Sequence, residues 1–205
     1  MRATGALLWN PLQLNLGVSR TTRDASKMDE QNPDITEMVN ATGDAVFHSP
    51  AHVREHEARI ANLSPCALAP IDECEPTRAT LAGFSFELRI PNLAAAEPIE
   101  APDDRWYGRQ WAPGEFLLFH VDPNPEFAVI TPPGPTACRL DLAGRPMKLR
   151  RIAPGDLGWA ANAYAAEVIG FLDDATHFWG QVVSPTETRR ESLLAALATI
   201  ERVSE

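Results

Sequence analysis

Lysine is nearly missing from this chain: Lys27 and Lys148 are the only two, so arginine supplies almost all of the 18 basic residues set against 28 acidic ones. A nucleic-acid partner is disfavoured, because phosphate binding draws on clustered basic side chains and the two short pairs, Arg150-Arg151 and Arg189-Arg190, stand apart. No apolar run approaches the roughly 20 residues of a membrane-spanning helix. G-x-S-x-G, P-loop and G-x-G-x-x-G patterns are absent too, which removes the usual anchors of hydrolase, nucleoside-triphosphate and dinucleotide readings. Cysteine is scarce: Cys66, Cys74 and Cys138 have no metal-ligand spacing. Cys66 and Cys74 could close a small loop in an oxidising compartment, but with one cysteine left over and no clear export signal, free thiols in a cytoplasmic protein are the expectation.

What is present divides the chain by composition. Residues 1–27 hold four basic residues (Arg2, Arg20, Arg23, Lys27) against Asp24 alone and lack periodic apolar positions, so they read as a disordered leader outside the core. Residues 28–80 read as a helical segment and linker. A modest helix is expected from the Asn32-Pro33 cap to Gly43, and a second from Ser49-Pro50 to about Leu63 with Val53, Ile60 and Leu63 on one side. Cys66 to Thr80, rich in proline and acid, reads as a loop.

Residues 81–205 carry strand signals. Gly83 to Ile90 alternates, with Phe84, Phe86, Leu88 and Ile90 on one face; Trp106–Trp111, Glu115–Val121, Phe127–Thr131, Cys138–Leu142 and Met147–Ile152 follow. Ala143-Gly144-Arg145-Pro146 is a hairpin signature, and Tyr164–Leu172 with Phe178–Val183 makes a second hairpin around Asp173-Asp174. Ser184-Pro185-Thr186-Glu187 reads as a helix start with Ser184 as cap. Leu193, Leu197 and Ile200 then form an apolar stripe, while Arg189 and Arg190 are expected in solvent. The class is α+β: one domain with a mainly antiparallel sheet of about six to seven strands, covered by helices that include a C-terminal amphipathic one.

Three features then carry a resemblance: Gly83-Phe84-Ser85-Phe86 with Ile90-Pro91, the Asp141-Leu142-Ala143-Gly144-Arg145-Pro146 turn with its basic strand, and the closing strand, strand, Leu-rich helix. Over Leu81 to Val203 the chain resembles the Mog1/PsbP-like α/β sandwich family. The resemblance implies a helix-covered antiparallel sheet and a binding, assembly or chaperone-like role without a catalytic site.

The sharpest chemical pattern is His52-Val53-Arg54-Glu55-His56, which matches H-x-x-E-H, where two histidines one turn apart bind zinc and a glutamate acts as general base. His48 adds an imidazole at the same spacing, but the downstream third-ligand candidates, Glu115 and Glu126, fall in strand or loop. The expectation is a solvated helix face and no cofactor or metal, with a zinc-dependent hydrolase as the alternative and a small-molecule-binding domain as a further one. His177, near Asp173-Asp174, is expected at a surface turn. The favoured binding surface is Tyr107, Arg109 and Trp111: alternation sets these on one face and Trp106 on the other. Tyr, Trp and Arg are the residues that anchor protein interfaces, so a protein or peptide partner is expected.

Overall fold

A computed structural model describes residues 38–39, 45–47, 50–71, 73–101, 103–123, 128–130, 136–155 and 162–203. The leader and the first turn of the helix expected from Asn32 lie outside them. In chain order the first elements are β1 (Met38–Val39), β2 (Ala45–Phe47), α1 (Pro50–Ala61), β3 (Cys74–Leu81), β4 (Phe84–Pro91) and β5 (Glu97–Pro98). Next come β6 (Trp106–Ala112), β7 (Glu115–Pro123), β8 (Ala128–Ile130), β9 (Cys138–Leu142) and β10 (Arg145–Ile152). The chain closes with β11 (Tyr164–Phe171), β12 (Thr176–Ser184), α2 (Glu187–Leu197) and β13 (Glu201–Val203). No helix among the described residues is long and apolar enough to cross a membrane.

The strands form a seven-stranded sheet in the order β5-β6-β7-β12-β11-β10-β9 and two three-stranded sheets, β13-β4-β3 and β1-β2-β8. All pairing between these strands is antiparallel. Local chemistry sets the hairpins. Ala143 and Gly144 take φ of 51° and 79°, the left-handed pair that a two-residue turn between twisted strands requires. Between β11 and β12, the Asp173 carboxylate accepts the backbone N–H of Ala175 (2.9 Å) and Thr176 (2.8 Å), satisfying donors that the turn would otherwise orphan.

One face of the large sheet is the core. Leu117, Phe119, Val121, Met147, Leu149, Val168, Phe178 and Val182 meet Phe86, Leu88 and Ile90 of β4 and Leu193, Leu194 and Leu197 of α2, all fully buried. The layer over that face is therefore strands together with α2, and the expected cover of helices alone does not describe it. Gly180 lets α2 come close: a Cβ there would stand 3.0 Å from Leu197 Cδ2.

Several expectations need correction. The α2 cap is Thr186, whose hydroxyl accepts the Arg189 N–H, because Ser184 stays in β12 and its hydroxyl accepts the Thr186 N–H instead. Ile200 is buried but lies beyond the helix. Arg190 is only 3% exposed: it turns back under the helix to bind Glu191 (2.6 Å) and Glu187 (2.9 Å) and lies 5.7 Å over the Tyr164 ring. Residues 74–81, read as loop, are β3, because pairing with the strongly alternating β4 overrides Pro76 and the charges beside it. Met38–Val39, read as helix, is strand paired to Ala45 and Val46.

The thiol expectation also fails. Cys66 and Cys138 form a disulfide, and Cys74 is not in one. Their approach is prepared by the backbone, where Pro65 bridges Arg139 at the edge of β9. Arg139 N–H donates to Ser64 O (2.9 Å) and Cys66 N–H donates to Arg139 O (2.8 Å).

Candidate functional site

β6 lies between β7 and the short β5, and its alternation turns Tyr107 and Arg109 toward the core side with Trp106 on the opposite face, while Trp111, at a register irregularity between Gln110 and Ala112, also packs on the core. The three are half-buried at the rim of the core. The Tyr107 ring rests on Phe119, 5.1 Å between centroids, and its hydroxyl accepts Arg109 Nε–H at 3.1 Å. Trp111 Nε1–H donates to the carbonyls of Pro91 (3.1 Å) and Asn92 (3.3 Å), which fixes the indole against the end of β4. From α2, the Arg189 guanidinium lies 5.1 Å over the Trp111 ring and donates to Glu115 at 2.7 Å.

The outcome is a strip in which two aromatic rings alternate with two guanidinium groups. Its charges differ in their compensation. Arg189 is neutralised by Glu115, whereas no carboxylate among the described residues pairs with Arg109, whose guanidinium stands 5.5 Å from the Tyr107 centroid. Each ring is anchored on one side by protein, so Trp111 is a packed residue rather than a freely exposed one.

The opposite face carries a second aromatic group that reading the sequence missed. Trp106 meets His120 at 4.3 Å and Trp179 at 5.9 Å. Trp179 Nε1–H donates to Glu167 (2.9 Å), and Glu167 also accepts from Arg150 (2.7 Å). The register puts these residues in adjacent rows, Trp106 opposite His120, His120 opposite Trp179, and Arg150 opposite Glu167. Only strand order could have revealed that. Burial lowers the His120 pKa, offset in part by Asp122. Asp103 accepts from the Arg105 side chain and backbone, which holds its carboxyl below the usual range and makes it a turn residue.

The H-x-x-E-H stretch is helical, in α1. Glu55 is exposed and paired with Arg59, while His56 is turned the other way, 5% exposed, with its ring edge-on to Phe171 at 6.2 Å. Glu55 is engaged by Arg59 and His56 is packed against Phe171, so the two are not presented together to an accessible site. The His52 side chain lies outside the described ones, as does His48. Among the described residues no group of three or more His, Cys, Asp or Glu could hold a metal ion. His177 is in β12, not in the turn, with its Nε2 buried and its ring 5.5 Å from Phe171.

An open, polar depression of about 380 Å³, lined by Asp141, Gly144, Ala198, Glu201 and Arg202 among others, shares no residue with the aromatic strip. Comparison with protein families, with curated proteins and with solved structures finds no match to this chain.

Proposed function

We propose that the chain is a non-enzymatic binding or assembly module that engages an acidic segment of a protein or peptide partner through Tyr107, Arg109 and Trp111. The observation that carries this reading is Arg109, a cation without a carboxylate among the described residues, held against the Tyr107 ring and hydroxyl on the strand that also carries the packed Trp111. A guanidinium pre-oriented by an aromatic face and a hydroxyl loses little freedom on binding and matches a carboxylate with two donors. Rigid aromatic neighbours shield such a pair from water, the arrangement found at interface anchors. The Mog1/PsbP-like resemblance points to the same class of role.

The test is capture of a partner by the immobilised full chain, its identification, and measurement of the affinity of wild type and of Arg109→Ala. Loss of about 1 kcal/mol or more is expected for an anchor residue, with the unfolding midpoint unchanged. Equal affinity for wild type, Arg109→Ala and Arg109→Glu would sink the proposal.

A further inference from the structure

Helix α1 lies against β9 and β10 and contributes a stripe of three buried residues, Val53, His56 and Ile60. The middle one is the anomaly. His56 enters an apolar contact with Phe171 of β11, and its Nε2 is buried with no hydrogen-bond partner among the described residues. His177 of β12 packs on Phe171 as well, and its Nε2 is also buried without a partner among them. Among the described residues, the groups that act on the charge of His56 are Lys148 on β10 and Arg59 on α1, with the second imidazole, His177, beyond Phe171.

The two ends of this segment are fastened differently. Near Asp174, α1 is held by exchangeable ion pairs: Arg145 with Glu57 (2.7 Å) and Asp174 (3.1 Å), and Arg54 with Asp174 (3.3 Å). Beyond its last turn, the chain is fixed by the Pro65 bridge, by Arg139 donating to Ala61 O (3.0 Å), by Arg151 donating to Ala67 O (2.6 Å), and by the Cys66–Cys138 disulfide.

We infer that α1 is an acid-released flap: closed on the sheet while His56 is uncharged, it opens when His56 gains a proton and stays tethered at Cys66–Cys138. Loss of solvation, then Lys148, His177 and Arg59, hold the closed His56 down from 6.5 to about 4. The open form therefore takes up the proton first, and closure weakens as pH falls from 6.5 toward about 4. Glu57 acts in the opposite sense, since burial raises its pKa despite Arg145 and the closed form holds its proton better. Its effect is small, because Glu57 is more open to solvent than His56. His177 is held down to about 4 by burial and by His120, with Asp122 opposing, and its protonation strains the sheet rather than the flap.

The experiment is hydrogen exchange on the full chain, expressed as protection factors for the amides of α1 and of β11–β12. From about pH 7 to about pH 4.5, α1 is expected to lose protection by about tenfold or more while β11–β12, which His177 weakens but which open only with the whole fold, stay the better protected, and His56→Leu, which cannot be protonated, is expected to remove most of the α1 loss. Unchanged α1 protection, α1 and β11–β12 exchanging as one unit with equal protection, or the same α1 loss in His56→Leu would each overturn the flap. If His56→Leu does not fold, the wild-type chain decides by NMR. The His56 imidazole is expected to titrate over the range in which α1 opens, and titration near 6.5 with α1 still protected overturns the proposal.

Discussion

The two helices meet the same large sheet and are held there by different physics. α2 enters the core, where Leu193, Leu194 and Leu197 are sealed between β4 and the central strands. α1 lies over the β9–β10 end of the sheet and presents one imidazole, a set of ion pairs and a disulfide-tethered tail. Apolar burial is indifferent to pH and salt in the physiological range, so α2 forms a permanent part of the fold. α1 buries Val53 and Ile60 as well, but the rest of its attachment uses groups that titrate, exchange partners or can be reduced, so its stability depends more on conditions.

The contrast is broken most directly at Leu197. Truncation to Ala should lower the unfolding free energy by about 2–5 kcal/mol, since it leaves a void between α2 and Gly180; denaturant unfolding measures it, and a loss no larger than that of Val53→Ala would erase the distinction between the helices. The second test removes the tether. Cys66→Ser with Cys138→Ser should cost about 2–4 kcal/mol if the cross-link acts mainly on the unfolded chain, and mass measurement after thiol alkylation should find one labelled cysteine per native chain.

Arg190 comes next. Replacing it by Ala leaves Glu191 without one of its two guanidinium partners, Arg151 remaining, and should cost about 1–3 kcal/mol in denaturant unfolding. A change under about 0.5 kcal/mol would return it to the surface class. Arg109→Ala is the smallest effect on folding, within about 0.5 kcal/mol, because its one side-chain bond among the described residues is to the Tyr107 hydroxyl. A larger loss would make Arg109 a structural residue.

Much of this was legible wherever the signal is local. The alternation of residues 84–90, the Ala143-Gly144 turn, the Asp173 hairpin and the leucine stripe of α2 each follow from neighbours in the chain, and all are found. The shared face of Tyr107 and Arg109 follows from period two, whereas Trp111 sits at a register irregularity of β6 and its place against the core comes from packing. What was missed depends on partners distant in sequence. β3 reads CEPTRATL and is strand because β4 templates it. Arg190 looks like a surface residue until Tyr164 and Glu191 are placed around it. The Cys66–Cys138 pair spans 72 residues and is brought together by a single bridge at Pro65, which spacing cannot reveal. The Trp106, His120, Trp179 group needs three strands in register before it exists at all.

That same Pro65 bridge also occupies part of a sheet edge. A bare edge strand offers a ladder of N–H and C=O groups to any extended chain that passes, and sheets growing by that route become fibres. Near the start of β9 the bridge places a residue that has no N–H beside Arg139, while Ser64 and Cys66 use the Arg139 N–H and C=O. At β3, the outer strand of its sheet among the described strands, Pro76 and the ion pair of Arg78 with Glu87 break the run instead. If α1 opens as proposed while the 64–66 segment stays in place, side chains are uncovered but the Arg139 N–H and C=O remain occupied.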